Sequence, residues 1–88
     1  MYNDPYKIKT LEVLRDTGSL KISGMDDALI GYSEIDNTIV AVYDQDVFID
    51  ILADDIPYSD AVEFFYKTFS SNRIGKKNPI FVRLDHNI

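Results

Sequence analysis

Residues 43–55, YDQDVFIDILADD, place five aspartates in thirteen positions, and what this stretch is decides how its neighbours assemble. Asp44, Asp46 and Asp50 have the 1, 3, 7 spacing of a calcium loop. Such a loop also needs an oxygen ligand at position 5 and a glycine at position 6. Counting from Asp44, those places hold Phe48 and Ile49, which neither coordinate a cation nor make the sharp turn. A strand-to-helix junction explains the same residues. Asp44 follows an apolar run and suits a helix N-cap. Asp46 falls in the first turn, where the helix dipole favours a carboxylate by about 0.3–1 kcal/mol. Val47, Phe48, Ile51 and Leu52 fall at i, i+1, i+4 and i+5, one apolar stripe, and Asp50 and Asp54 lie together off it. The expectation is a helix without a metal.

Working outward, ALIGYS (28–33) and TIVAVY (38–43) are rich in β-branched and aromatic residues and flank EIDN (34–37). Asp36 and Asn37 suit a tight turn, so these segments predict an antiparallel hairpin. The uninterrupted IVAV (39–42) predicts a strand covered on at least one face. Upstream, NDPYKIKTLEVLRDTG (3–18) offers Asp4 as a cap, Pro5 at the first helical position and Gly18 as a left-handed stop. Ile8, Leu11 and Leu14 follow at helical spacing. A hairpin pairing TLEVL with SLKIS across RDTG competes with the helix over residues 5–17; capping and spacing together favour the helix. Downstream, Pro57 ends one helix and opens another. In PYSDAVEFFYKTF (57–69), Tyr58, Ala61, Val62, Phe65 and Phe69 form a stripe that Phe64 widens, with Asp60 and Glu63 early and Lys67 late, as the dipole prefers. A polar loop, SSNRIGKKN (70–78), leads through Pro79 into IFVRL (80–84), a strand with Phe81 and Arg83 on one side and Ile80, Val82 and Leu84 on the other. The order α-β-β-α-α-β predicts a single small α+β domain over residues 1–88, its helices packed on a three-stranded, mainly antiparallel sheet.

Composition narrows the function. A chain of 88 residues has room for one core, and a 45% hydrophobic share suffices to build it. The absence of cysteine removes disulfides, thiolate metal sites and cysteine nucleophiles together. No apolar run approaches the roughly 18 residues of a membrane span. The opening MYNDPYKIK has no signal-peptide apolar core, so a cytoplasmic location is expected. The net charge of −6 argues against nonspecific nucleic-acid binding. Between Lys21 and Lys67 there is no basic residue, yet that span holds eleven carboxylates. They either pair with the more basic remainder or present an acidic face to a basic partner.

Four segments carry a family likeness: DDALIGYSE (26–34), AVYDQDVFIDIL (41–52), YSDAVEFF (58–65) and IGKKNPIF (74–81). In order and spacing they resemble a recurrent family of small uncharacterised proteins of bacteriophages and related mobile elements. Its pattern runs DDAIIG, VYDYDK-IEIL, SYEEAIEWFEFN and VGEKTPIF, and the likeness covers about residues 24–82. The chain departs from it at Thr68, where the family has asparagine, at Ser71 and Asn72, which replace a Gly-Ala pair, and at Lys76, an acidic position elsewhere. The resemblance implies a mobile-element origin and supports the element order. It carries no catalytic residue.

The remaining chemistry points away from catalysis. His86 is the only histidine, two residues from the last position, and no serine motif accompanies it. Asp26 and Asp27 with Asp44 would need a pocket to act as paired carboxylates, and turn and cap roles account for all three. The four glycines form no phosphate-cradling pattern. No enzyme, cofactor or metal is therefore expected. A protein-binding module fits better: a phage-type accessory domain acting on a host protein, such as an inhibitor occupying a DNA-binding site, with Asp44, Asp46, Asp50, Asp54 and Asp55 as its acidic face. Six tyrosines and five phenylalanines exceed what so small a core must bury. They suit an interface, including that of a homodimer. The alternative is a nucleic-acid binder built on the basic 73–83 segment, where Arg73, Lys76, Lys77 and Arg83 surround Phe81 as a stacking platform.

Overall fold

A computed structural model describes residues 5–69 and 78–84. Helix α1 spans Pro5–Asp16, so the helix prevails over the competing hairpin. Its end is closed by Gly18 at φ 67°. The Ser19 amide reaches back to the Leu14 carbonyl and the Gly18 amide to that of Arg15, the paired bonds of a Schellman stop. Asp4, the expected cap, lies outside the described residues. The buried line of α1 runs through Thr10 and Leu14, with Leu11 packed beside them. Ile8 is exposed, which corrects the expected stripe. Residues 8 and 14 lie about 120° apart around a helix of 3.6 residues per turn, so both cannot face one core. Thr10 is tolerated inside because its hydroxyl donates to the Tyr6 carbonyl at 2.9 Å.

Strands β1 (Leu29–Ile35) and β2 (Thr38–Asp44) form the expected antiparallel hairpin. Asp36 and Asn37 take φ of 53° and 65°, the double left-handed turn that two-residue hairpins require. A bulge between Leu29 and Gly31 shifts the register, so that Leu29 joins the core face beside Tyr43. Strand β2 is the middle strand. Val40 and Ala41 on its opposite faces are both fully buried. Helices α2 (Gln45–Leu52) and α3 (Tyr58–Thr68) follow. The chain then returns to add β3 (Ile80–Val82) parallel to β2. A parallel neighbour needs such a crossover, so the sheet is mixed, with the antiparallel ladder its longer part.

The core joins Leu14, Met25, Leu29, Ala41, Tyr43, Phe48, Ile49, Ala61 and Phe65. Ile49 is more deeply placed than the expected stripe of α2 foresaw: Phe48 and Ile49 are the buried pair, and Val47, Ile51 and Leu52 are only partly covered. At the centre lie aromatic rings. Phe81 sits 5.0 Å from Phe48 and 4.9 Å from Phe65, nearly perpendicular to each, and 5.8 Å from Tyr43 in a stacked pose. Such pairs contribute about 0.5–1.5 kcal/mol each beyond the area they bury. They fasten a three-residue edge strand that backbone pairing alone would hold weakly.

Candidate functional site

The five aspartates differ in exposure and in pairing. Asp44 is 3% exposed; its Oδ1 accepts from the amides of Asp46 and Val47 at 3.0 and 3.2 Å. It caps α2. Asp46 stands beside it, 3.4 Å from the Arg83 guanidinium. One candidate of the acidic reading thus pairs with one candidate of the basic reading. The other three sit at the far end of a helix about 12 Å long: Asp50 in its last turn, Asp54 and Asp55 in the turn that follows. All three are exposed, and among the described residues none forms an ion pair or a side-chain hydrogen bond.

Their position is electrostatically unfavourable. The C-terminal end of a helix carries the negative pole of the dipole, where cations belong. No basic residue lies in the last turn of α2, and Asp50 repels Asp54 four positions on. Elsewhere several carboxylates have cationic partners. Lys67 pairs with Glu63 one helical turn away at 3.2 Å, and Lys21 holds Asp26 at 2.9 Å. Among the described residues, the expected pairing of the acidic span with the basic remainder reaches Asp26, Asp46 and Glu63 but not Asp50, Asp54 or Asp55.

Beside these carboxylates the surface opens into an apolar groove of about 480 Å³ between the 23–25 turn, the end of α2 and α3. Its walls include Met25, Ile51, Leu52, Ile56 and Phe64, with Asp55 at the margin. Phe64, expected to widen the buried stripe of α3, is 46% exposed, and Ile56 is 38% exposed. The sequence signal for the groove was Phe64 itself, an aromatic residue at the border of an amphipathic helix. A border position can turn either way.

The basic candidates fare differently. Arg73, Lys76 and Lys77 lie outside the described residues, as do the departures at Ser71, Asn72 and Lys76. Phe81 is packed among the core rings, so it offers no stacking platform. The strand ends at Val82 and Arg83 turns to Asp46.

Other polar groups serve the fold. The Tyr43 hydroxyl accepts from the Ile22 amide at 2.8 Å, fastening the segment before the hairpin. Burial pushes its ionisation above the ordinary tyrosine range; the Ile22 hydrogen bond opposes this, and the Asp26 carboxylate adds to the rise. The Gln45 side chain donates to the Tyr66 hydroxyl at 2.9 Å, linking the start of α2 to α3. Among the described residues no buried side-chain polar atom lacks a partner. Among the described residues no three of His, Cys, Asp or Glu gather where they would hold a metal, and no helix is long and apolar enough to cross a membrane.

Fold and surface together define a small acidic α+β domain whose unspent chemistry is negative charge beside an apolar groove. Comparison with known proteins finds no family model, no curated protein and no solved structure that matches this chain.

Proposed function

We propose that the chain is a small phage-type accessory protein that acts by binding a protein of its bacterial host in the cytoplasm. It is not an enzyme, and its acidic surface works as an inhibitor of a basic partner, a nucleic-acid-handling or defence protein. One observation carries the reading. Asp50, Asp54 and Asp55 are concentrated and exposed at a helix end that carries no basic residue, and among the described residues they have no ion-pair partner. Charges kept against stability are a mark of a functional surface. Such a surface steers and orients a positively charged partner. The resemblance of residues 24–82 to small mobile-element proteins supports the provenance. The acidic face is accordingly narrower than five residues: Asp44 and Asp46 hold the helix start, and the last three meet the partner.

The test is capture from host lysate by the purified protein. A basic protein retained by the wild type and lost on Asp50→Ala with Asp54→Ala, with the melting temperature unimpaired, supports the reading. Retention by the double variant contradicts it. Salt-dependent DNA binding lost on Lys76→Ala with Lys77→Ala would install the nucleic-acid alternative instead.

A further inference from the structure

We infer that the groove walled by Met25, Ile51, Leu52, Ile56 and Phe64 is the seat of an apolar side chain from a partner segment that carries lysine or arginine beside it. The inference rests on the protein-binding reading and names the chemistry of its partner. The groove holds about 480 Å³, some three times the roughly 150 Å³ that accept a benzene ring. It therefore admits two or more branched side chains. Its walls are aliphatic and aromatic, and Ile56 and Phe64 present large apolar surface to water, which a bound anchor would cover.

The occupant follows from the charge around the groove. Asp55 is at its margin, and Asp54 is its chain neighbour. Asp60 lies one helical turn before Phe64 on the same side of α3. No basic residue occurs between Lys21 and Lys67, and Lys21 is tied to Asp26. An anchor flanked by acidic residues would meet like charge on entry; one flanked by lysine or arginine meets complementary charge. A second copy packed groove to groove brings carboxylates to the same place. The chemistry that fits is a basic amphipathic segment, an apolar side chain in the groove and cations over Asp54, Asp55 and Asp60.

Fluorescence anisotropy with three labelled helical peptides tests this. One has leucines at i, i+4 and i+7 flanked by lysines, the second has the same leucines flanked by glutamates, and the third has the lysines with alanines for the leucines. The lysine–leucine peptide is expected to bind at least tenfold more tightly than either other. Phe64→Ser and, independently, Ile56→Ser should each weaken it about tenfold without changing the circular dichroism. Equal binding of the glutamate-flanked peptide, or indifference to both serine variants, overturns the inference. So does a dimer of the free chain in ultracentrifugation that Phe64→Ser dissociates. A host partner captured by Phe64→Ser but not by Asp50→Ala with Asp54→Ala would leave the acidic face standing and sink the groove. Peptide binding that ignores Asp54→Asn with Asp55→Asn would overturn its charge requirement.

Discussion

Replacing Asp54 and Asp55 by asparagine should make the protein more stable. Both sit just past the end of α2, where the dipole is negative and no basic residue lies in the last turn. A misplaced charge there costs about 0.3–1 kcal/mol at low ionic strength. Exposure and the shortness of an eight-residue helix put each at the lower end. Relief of the Asp50–Asp54 repulsion adds about 0.2–0.5 kcal/mol. The sum is about 1 kcal/mol, a rise in melting temperature of roughly 4–8 °C for a domain of this size. Asparagine preserves shape, so the packing beside Ile51 and Leu52 is untouched. Thermal melts followed by circular dichroism, in dilute buffer and again in 1 M salt, read the effect. At 1 M the screening length is about 3 Å, and the gain should largely vanish. A variant that melts lower than the wild type, or a gain that survives high salt, refutes the electrostatic account of this helix end.

Three further perturbations test the frame. Asp44→Ala should cost about 2 kcal/mol, from the lost cap and two amides left without their acceptor; Asp44→Asn should cost well under half of that, as compared by urea denaturation. Phe81→Ala removes ring contacts with Phe48, Phe65 and Tyr43 and should cost about 3 kcal/mol; a near-neutral result would mean β3 is not held by those rings. Tyr43 keeps its proton longer when folded than when unfolded. Its contribution is therefore complete below about pH 10 and is lost as pH rises through the raised folded value, with a slope of at most about 1.4 kcal/mol per pH unit. Tyr43→Phe should lower stability at neutral pH by about 1–3 kcal/mol through the unpaired Ile22 amide, and remove that alkaline decline.

The elements were legible where local chemistry and fold agree. Asp36 and Asn37 announce a turn that only left-handed residues close, Gly18 a helix stop, and Asp44 a cap. Phase was less legible. Ile8, Leu11 and Leu14 look like a stripe, yet the core takes Thr10, whose hydroxyl finds a carbonyl that no periodicity reveals. The direction of β3 was open because three apolar residues suit either edge pairing; the crossover through α2 and α3 decides it. Of the candidate site, the capping role of Asp44 and the first-turn place of Asp46 were legible from the spacing, whereas the pairing of Asp46 with Arg83 was not, because it joins residues far apart in the chain. The groove was hidden for a related reason: Phe64 and Ile56 are apolar, and composition assigns apolar residues to the core until a surface is in view.

The central claim is that Asp50, Asp54 and Asp55 are retained for a partner at the expense of the fold. Its most direct test measures both quantities on one triple variant, all three changed to asparagine: melting temperature, and capture of a basic host protein at low salt. The triple variant should melt higher than the wild type and no longer hold the partner. A variant that still captures the partner, or one that melts lower, would contradict it.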